Sequence, residues 1–226
     1  MTEQEAPDAG RLVVGILGGT GDQGRGLARR FALAGNQVII GSRSAERAQA
    51  AATELGAETG PNVRGLANRD AAREADLVIA AVPWEGHGDL LSSLAPDLVG
   101  KVVVDCVNPM GFDKRGAYPL PVAEGSAAQQ AEALLPESTV VAAFHHVSAV
   151  LLLDPEVDSI DLDVLVLGDD RQATDLVQAL AARIPGVRGV YAGRLRNCGQ
   201  IEALTANLVS INRRYKAHAG LRITDI

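Results

Sequence analysis

Four short runs carry the residues with chemistry to offer. The first, Gly18-Gly19-Thr20-Gly21-Asp22-Gln23-Gly24, follows the apolar run Leu12 to Leu17 and contains the spacing Gly19-x-Gly21-x-x-Gly24. In a dinucleotide-binding turn the first of these glycines permits a tight bend out of a strand, and the second lets a pyrophosphate approach the backbone. The third lets the next helix pack closely on the sheet, with the anion at that helix's N-terminus. The pattern alone is weak. Its context strengthens it, because Arg11 to Leu17 reads as a buried parallel strand and Gln23 to Leu33 carries apolar residues at helical spacing.

The second run lies where a second strand ends, about 20 positions after the glycines, where an acidic residue would accept from the adenosine ribose hydroxyls. Here it reads Gly41-Ser42-Arg43-Ser44, with no carboxylate. A hydroxyl and a guanidinium can bind a 2′-phosphate that a carboxylate would repel. Arg47 shares the helical face of Arg43, and Thr20 adds a hydroxyl from the glycine turn. This pattern predicts NADP(H) in preference to NAD(H). The third run is Val82-Pro83-Trp84-Glu85, with the only tryptophan of the chain, placed to wall the ribose or nicotinamide or to pack in the core. The fourth is Phe144-His145-His146-Val147-Ser148, at the end of a buried strand where open parallel sheets place ligands. A hydride-transfer enzyme acting on an alcohol or imine usually supplies a proton donor. Lysines occur only at Lys101, Lys114 and Lys216, none in a suitable place, which leaves His145, His146 and Ser148 as candidate side chains.

The elements that must position these runs alternate strand and helix, which predicts an α/β fold: a Rossmann-type, doubly wound, mainly parallel sheet. Met1 to Gly10 reads as a flexible tail, residues 11–150 as the dinucleotide-binding domain, and residues 151–226 as a small C-terminal α/β annex. Asn108 to Gly125, with Pro109, Pro119 and Pro121, reads as a long aperiodic loop, either a lid or a connector. A last helix is expected from about Arg196 to His218, stopped by Gly220. The 28 acidic and 21 basic residues argue against a nucleic-acid partner. Cys106 and Cys198 have no metal-type spacing, so no metal is expected, and they suit a reducing cytoplasm. No run is long and apolar enough for a membrane span, and no signal peptide is evident. The apolar last helix suggests a homodimer.

Taken together, Gly18 to Gly24, Gly41-Ser42-Arg43, Pro83-Trp84-Glu85, Phe144 to Ser148, Gly168-Asp169-Asp170 and Ile201-Glu202-Ala203-Leu204-Thr205 resemble the NADPH-dependent coenzyme F420 reductases over nearly the whole chain beyond the tail. The resemblance implies direct hydride exchange between NADP(H) and the 5-deazaflavin coenzyme F420, with no acid required. It implies that Thr20, Ser42, Arg43 and Arg47 surround the 2′-phosphate. Val82, Pro83, Trp84, Gly88 and Ala149 would border the rest of the NADP beside the Gly18 to Gly24 turn. His145, His146, Val147 and Ser148 would lie against F420, with His145 a possible contributor to catalysis. His146 and Ser148 depart from the Thr and Pro of archaeal members, so their ring contacts differ in detail. Two other classes remain open from the residues: an NADPH-dependent imine or ferric-chelate reductase, and a non-enzymatic NADP(H)-sensing module.

Overall fold

The computed structural model describes residues 8–226. Six strands form a parallel array: β1 (Val13–Leu17), β2 (Gln37–Ser42), β3 (Val63–Ala67), β4 (Leu77–Ala80), β5 (Val102–Asp105) and, after a hairpin of β6 (Met110–Asp113) and β7 (Gly116–Pro119), β8 (Thr139–Ala142). Their spatial order is β8-β5-β4-β1-β2-β3. The order reverses beside β1, the switch point at which doubly wound sheets bind ligands. The crossovers contain α1 (Asp22–Leu33), α2 (Ala45–Thr59), α3 (Asn68–Glu74), α4 (His87–Leu94) and α5 (Ala127–Leu134).

The near-continuous apolar strands follow from burial on both faces. Along β2, Val38 and Ile40 point into one core with Leu27 and Phe31 of α1, while Ile39 points into a second core with Ala71 of α3 and Leu91 of α4. Glycines admit the helices to the sheet. A Cβ at Gly15 would lie 2.7 Å from the Ala75 Cβ, and one at Gly26 of α1 would lie 2.6 Å from the Leu152 Cβ.

Leu152 belongs to α6 (Ala149–Leu153), a short helix with no clear periodicity in the sequence. Its end is held by α1: the Arg30 guanidinium donates from Nε to Leu152 O at 2.9 Å and from Nη1 to Val157 O at 2.7 Å. The first satisfies a carbonyl that a five-residue helix leaves unpaired, and the second holds the segment that follows it.

The C-terminal segment, expected as an annex, adds strands to the same sheet. β9 (Leu162–Leu167) pairs antiparallel with β8 at Ala142, and β10 (Val187–Gly193) lies parallel to β9 after α7 (Arg171–Ala181). The final helix, α8 (Cys198–Tyr215), is shorter than its apolar pattern suggests. It ends at Lys216 in a left-handed conformation (φ 53°), not at Gly220, and the chain then turns back along β9. Asp163 pins that return: Arg188 reaches both its oxygens at 2.7 Å, and the Ile223 N–H donates to it at 2.6 Å. The Arg188 hydrogen bond holds the Asp163 carboxyl well below the usual carboxylate range.

Two other expectations change. Asn108 to Gly125 contains the β6–β7 hairpin, whose side chains are too exposed to produce a buried-strand pattern. Of the expected tail, residues 1–7 lie outside the described residues, while Ala9 is buried and its carbonyl accepts from Asn36 Nδ2 at 2.8 Å. Among the described residues no helix is long and apolar enough to cross a membrane.

The contact between α1 and α6 gives a stability test. Gly26→Val should lower stability by about 1–3 kcal/mol through overpacking. Gly56→Ala, in α2 with nothing within 4 Å, should raise it by about 0.5–1 kcal/mol. Thermal or urea unfolding of both variants measures the difference, and a neutral Gly26→Val would mean that α6 is not seated on α1.

Candidate functional site

The turn after β1 assigns its glycines in a way the motif alone does not. Gly18, before the motif proper, makes the left-handed bend (φ +71°), and a Cβ there would meet Val82 Cγ1 at 2.5 Å. Gly19 is crowded instead, with a Cβ position 2.8 Å from Ile16 O. Gly24 fits because α1 packs directly on the turn, its Cβ position lying 2.7 Å from the Gly19 Cα. Gly21 differs from these: a Cβ would meet nothing nearer than Gly18 O at 3.6 Å, so no protein atom requires glycine there. Open space over that backbone suits a ligand that approaches closely. Gly21 is also the N-cap of α1, and no side chain caps the helix. Its first-turn N–H groups are therefore available to an anion. Thr20 is half-buried in the turn, and Asp22 is exposed as the first residue of α1.

On one side of the turn, β2 ends in Ser42, which is buried, with Arg43 exposed beyond it. Ser44 caps α2 by accepting from the Arg47 N–H at 3.2 Å, and Glu46 lies in the same turn. Arg47 is exposed as well, and neither arginine forms an ion pair among the described residues. Asn68 organises this side and was not anticipated. Its Oδ1 accepts weakly from the Gly18 N–H at 3.5 Å and occupies the space a Gly41 side chain would need. Its place at the carboxyl end of β3 was the available signal.

On the other side, β8 leads into Phe144, a buried residue held in the left-handed region at φ 64°. That conformation costs a non-glycine residue about 1–2 kcal/mol, and such strain concentrates at functional sites. It is held by α1: the Phe31 and Phe144 rings meet edge-on at 5.9 Å, and Gln23 Nε2 donates to Phe144 O at 3.4 Å. Asn108, also not anticipated, donates to His145 O at 3.1 Å and accepts from Thr205 Oγ1 at 3.0 Å. The two histidines differ. His146 donates from Nε2 to Ile201 O at 2.8 Å and is thereby tied to α8. His145 is buried with both ring nitrogens unpartnered, and burial, helped by His146, pushes its pKa down to about 4. Val147 is buried beside it, Ser148 lies 3.4 Å from His218 Nδ1, and Ala149 begins α6.

Between these sides, after β4, Val82 packs on the glycine turn and Pro83 precedes a single helical turn, Trp84–Gly86. Trp84 is half-buried and lies beside the His87 ring, centroids 5.6 Å apart. Gly88 sits farther back, where α4 meets Gln130 of α5. Beneath lies a buried polar group. Glu202 accepts from the Ala127 and Ala128 N–H groups at the start of α5 and from the Cys198 thiol. Burial raises the Glu202 pKa. Donor atoms of His145, Cys198 and Glu202 lie within 4.8 Å of one another. Both Glu202 oxygens are engaged by α5, so the cluster serves as a helix cap.

All four runs thus lie at the carboxyl edges of parallel strands. From β2 to β8 that edge crosses four strand spacings, roughly 19 Å. Fold and site together define a dinucleotide-binding α/β protein with a second ligand wall across from its glycine turn. Residues 13–109 match the family model for NADP oxidoreductases dependent on coenzyme F420. The chain is 40% identical over 223 residues to the F420-dependent NADP reductase of Methanothermobacter thermautotrophicus, covering 95% of this chain and 96% of that one. A solved structure of a candidate F420-dependent NADP reductase from Arthrobacter sp. FB24 superposes with a TM-score of 0.81 at 27% identity, over 95% of this chain and all of that one. The metalloreductase STEAP3 of Rattus norvegicus is 31% identical over 196 residues, 87% of this chain but 37% of its own length. The chain belongs to the F420-dependent NADP reductase family.

The depressed pKa of His145 has a stability consequence. Between its ordinary value of 6.5 and about 4, the unfolded chain binds a proton that the folded ring refuses. Stability should therefore fall as pH drops through that window, by up to about 1.4 kcal/mol per pH unit. Urea unfolding from about pH 7.5 down to about pH 5 measures this slope. His145→Asn should reduce it, leaving the part due to His146, whose pKa burial also lowers, and an unchanged slope would mean that the His145 ring is not held neutral.

Proposed function

We infer that this protein is an oxidoreductase moving hydride between NADP(H) and the 5-deazaflavin coenzyme F420. The observation that carries the reading is the Gln23–Phe144 contact, which joins a dinucleotide turn and the His145 wall on one edge of a family member's sheet. Gly18 to Gly24 would cradle the diphosphate, with Thr20, Ser42, Arg43 and Arg47 around the 2′-phosphate. Val82, Pro83, Trp84 and Ala149 would border the remainder, with Gly88 behind them, and His145 to Ser148 would wall the deazaflavin. When both are bound, hydride passes directly between nicotinamide C4 and deazaflavin C5.

The protein's own task is alignment. Held reactants in a near-attack geometry can gain on the order of 7–11 kcal/mol from orientation alone. No acid is needed to pass hydride between two ring carbons, which fits a site whose inner histidine is neutral. His146, fixed to Ile201 O, can shape the wall but has its Nε2 proton engaged. The imine alternative would require a placed proton donor, and the ferric-chelate alternative rests on a relative that this chain spans only in part. A sensing module would bind NADPH without any turnover.

The working form, we propose, is a cytoplasmic homodimer. The β6–β7 hairpin packs on α8 and leaves Phe112, Tyr118, Ile211 and Tyr215 exposed, and a second copy would cover them. Light scattering should give twice the chain mass, falling to one chain in Phe112→Glu/Tyr215→Glu. A wild-type monomer would contradict it.

NADPH should bleach oxidised F420 in the presence of the protein, and NADH should do so poorly. Arg43→Ala should raise KM for NADPH by roughly 10- to 100-fold, the loss of one or two charge-assisted bonds. KM for NADH should barely move. Equal losses for the two nicotinamides would remove the phosphate role of Arg43, and failure to bleach F420 would remove the assignment itself.

A further inference from the structure

His87 is fully buried at the start of α4, and nothing in the hydride-transfer account above uses it. Its Nε2 lies 2.6 Å from Asp105 Oδ2 and its Nδ1 lies 3.0 Å from Gln130 Oε1. A carboxylate only accepts hydrogen bonds, so Nε2 carries a proton. The other Asp105 oxygen accepts from the Val107 N–H at 3.0 Å, as an ionised carboxylate would. Gln130 turns its amide nitrogen to Glu124 Oε2 at 3.4 Å and so presents its carbonyl oxygen to His87. With the Gln130 amide so assigned, Nδ1 donates as well, and a ring donating from both nitrogens is an imidazolium.

The charged groups around the ring agree. Asp105 faces it from the end of β5, Gln130 from α5 with Glu124 behind it, and Glu202 from α8. Burial opposes the charge, but the hydrogen bond and charge of Asp105, with Gln130 and Glu202, outweigh it and raise the His87 pKa. The Trp84 indole lies beside this ring, tilted, with centroids 5.6 Å apart and planes 31° apart. That separation is within the ~6 Å over which a cation is attracted to an aromatic face.

We propose that His87 is a positioning residue: as a buried imidazolium clamped between Asp105 and Gln130, it fixes Trp84 at the nicotinamide end of the cleft and so sets how firmly NADP(H) is gripped. The proposal rests on the NADP(H) reading above. Its dependence on pH has a definite sign. A raised pKa keeps the clamp complete below the ordinary histidine value and dissolves it as pH rises through the folded value. Deprotonation leaves one of the two acceptors without its N–H and removes the cation beneath the indole.

Trp84 is the only tryptophan in the chain, so its emission reports this one place. An imidazolium in contact with indole quenches it more than neutral imidazole does. Emission of the cofactor-free protein should rise with pH through a midpoint above 6.5, the ordinary histidine value. The transition should vanish in His87→Gln and move to lower pH in Asp105→Asn. NADPH binding should quench Trp84 by energy transfer to the dihydronicotinamide. In His87→Gln the Kd for NADPH should rise by roughly 3- to 10-fold, the size of a lost cation–aromatic contact. KM for NADPH should rise by more than kcat falls. A wild-type emission that is flat with pH, or that turns over at or below 6.5, overturns the proposal without need of a variant. So does NADPH binding with no energy transfer from Trp84, which would place the indole away from the cofactor. An absence of NADPH binding altogether would instead remove the NADP(H) reading beneath it.

Discussion

Both halves of the cleft depend on how closely α1 can approach its neighbours. At its N-terminus the helix rests directly on the glycine turn, because Gly24 leaves no side chain between it and Gly19. Two residues on, Gly26 admits Leu152 of α6, and Arg30 then holds the end of α6 through the Leu152 carbonyl. From the same helix, Gln23 and Phe31 hold Phe144 in a conformation that phenylalanine would not adopt unaided. A single rigid element thus sets the distance between the glycine turn, the proposed diphosphate cradle, and the wall that faces it. For a reaction that depends on the apposition of two rings, that distance is the quantity that matters.

The electrostatics are arranged with similar economy. The chain carries a net charge of −7, yet Arg43 and Arg47 stand exposed and without ion pairs among the described residues at the end of β2. Cations near a helix N-terminus are unfavourable unless an anion compensates, and here Glu46 offsets them only in part. At the opposite end burial keeps His145 uncharged, while His87 beneath Trp84 is charged and fully compensated by acceptors. Charge is therefore free where a phosphate would bind, absent where hydride would move, and enclosed where a ring must be held still.

Much of this was legible in the sequence because local chemistry and global fold agree. The glycine run and the alternation of apolar strands with helices each point to one doubly wound sheet, and that sheet is present. What could not be read comes from contacts distant in sequence. Asn68 and Asn108 look like ordinary turn residues until β3 and β5 bring them beside Gly18 and His145. Phe144 shows no sign of its strain, because the residues that enforce it lie far back on α1. The exposed β6–β7 hairpin lacks the burial that makes a strand visible as a pattern. The attachment of β9 and β10 to the main sheet rests on the Ala142–Leu167 pairing, which no local signal announces. His87 was visible as a residue but silent as to role, since both its partners come from other elements.

The central claim is that this fold aligns two rings and lets hydride pass between them without passing through solvent. Its most direct test uses NADPH carrying deuterium at the transferable C4 position, in ordinary water, with oxidised F420 as acceptor. Mass spectrometry of the reduced F420 should find the deuterium at C5, together with a primary isotope effect on single-turnover bleaching. Loss of the label to water, with protium at C5, would contradict direct transfer and require a proton-exchanging intermediary in the site.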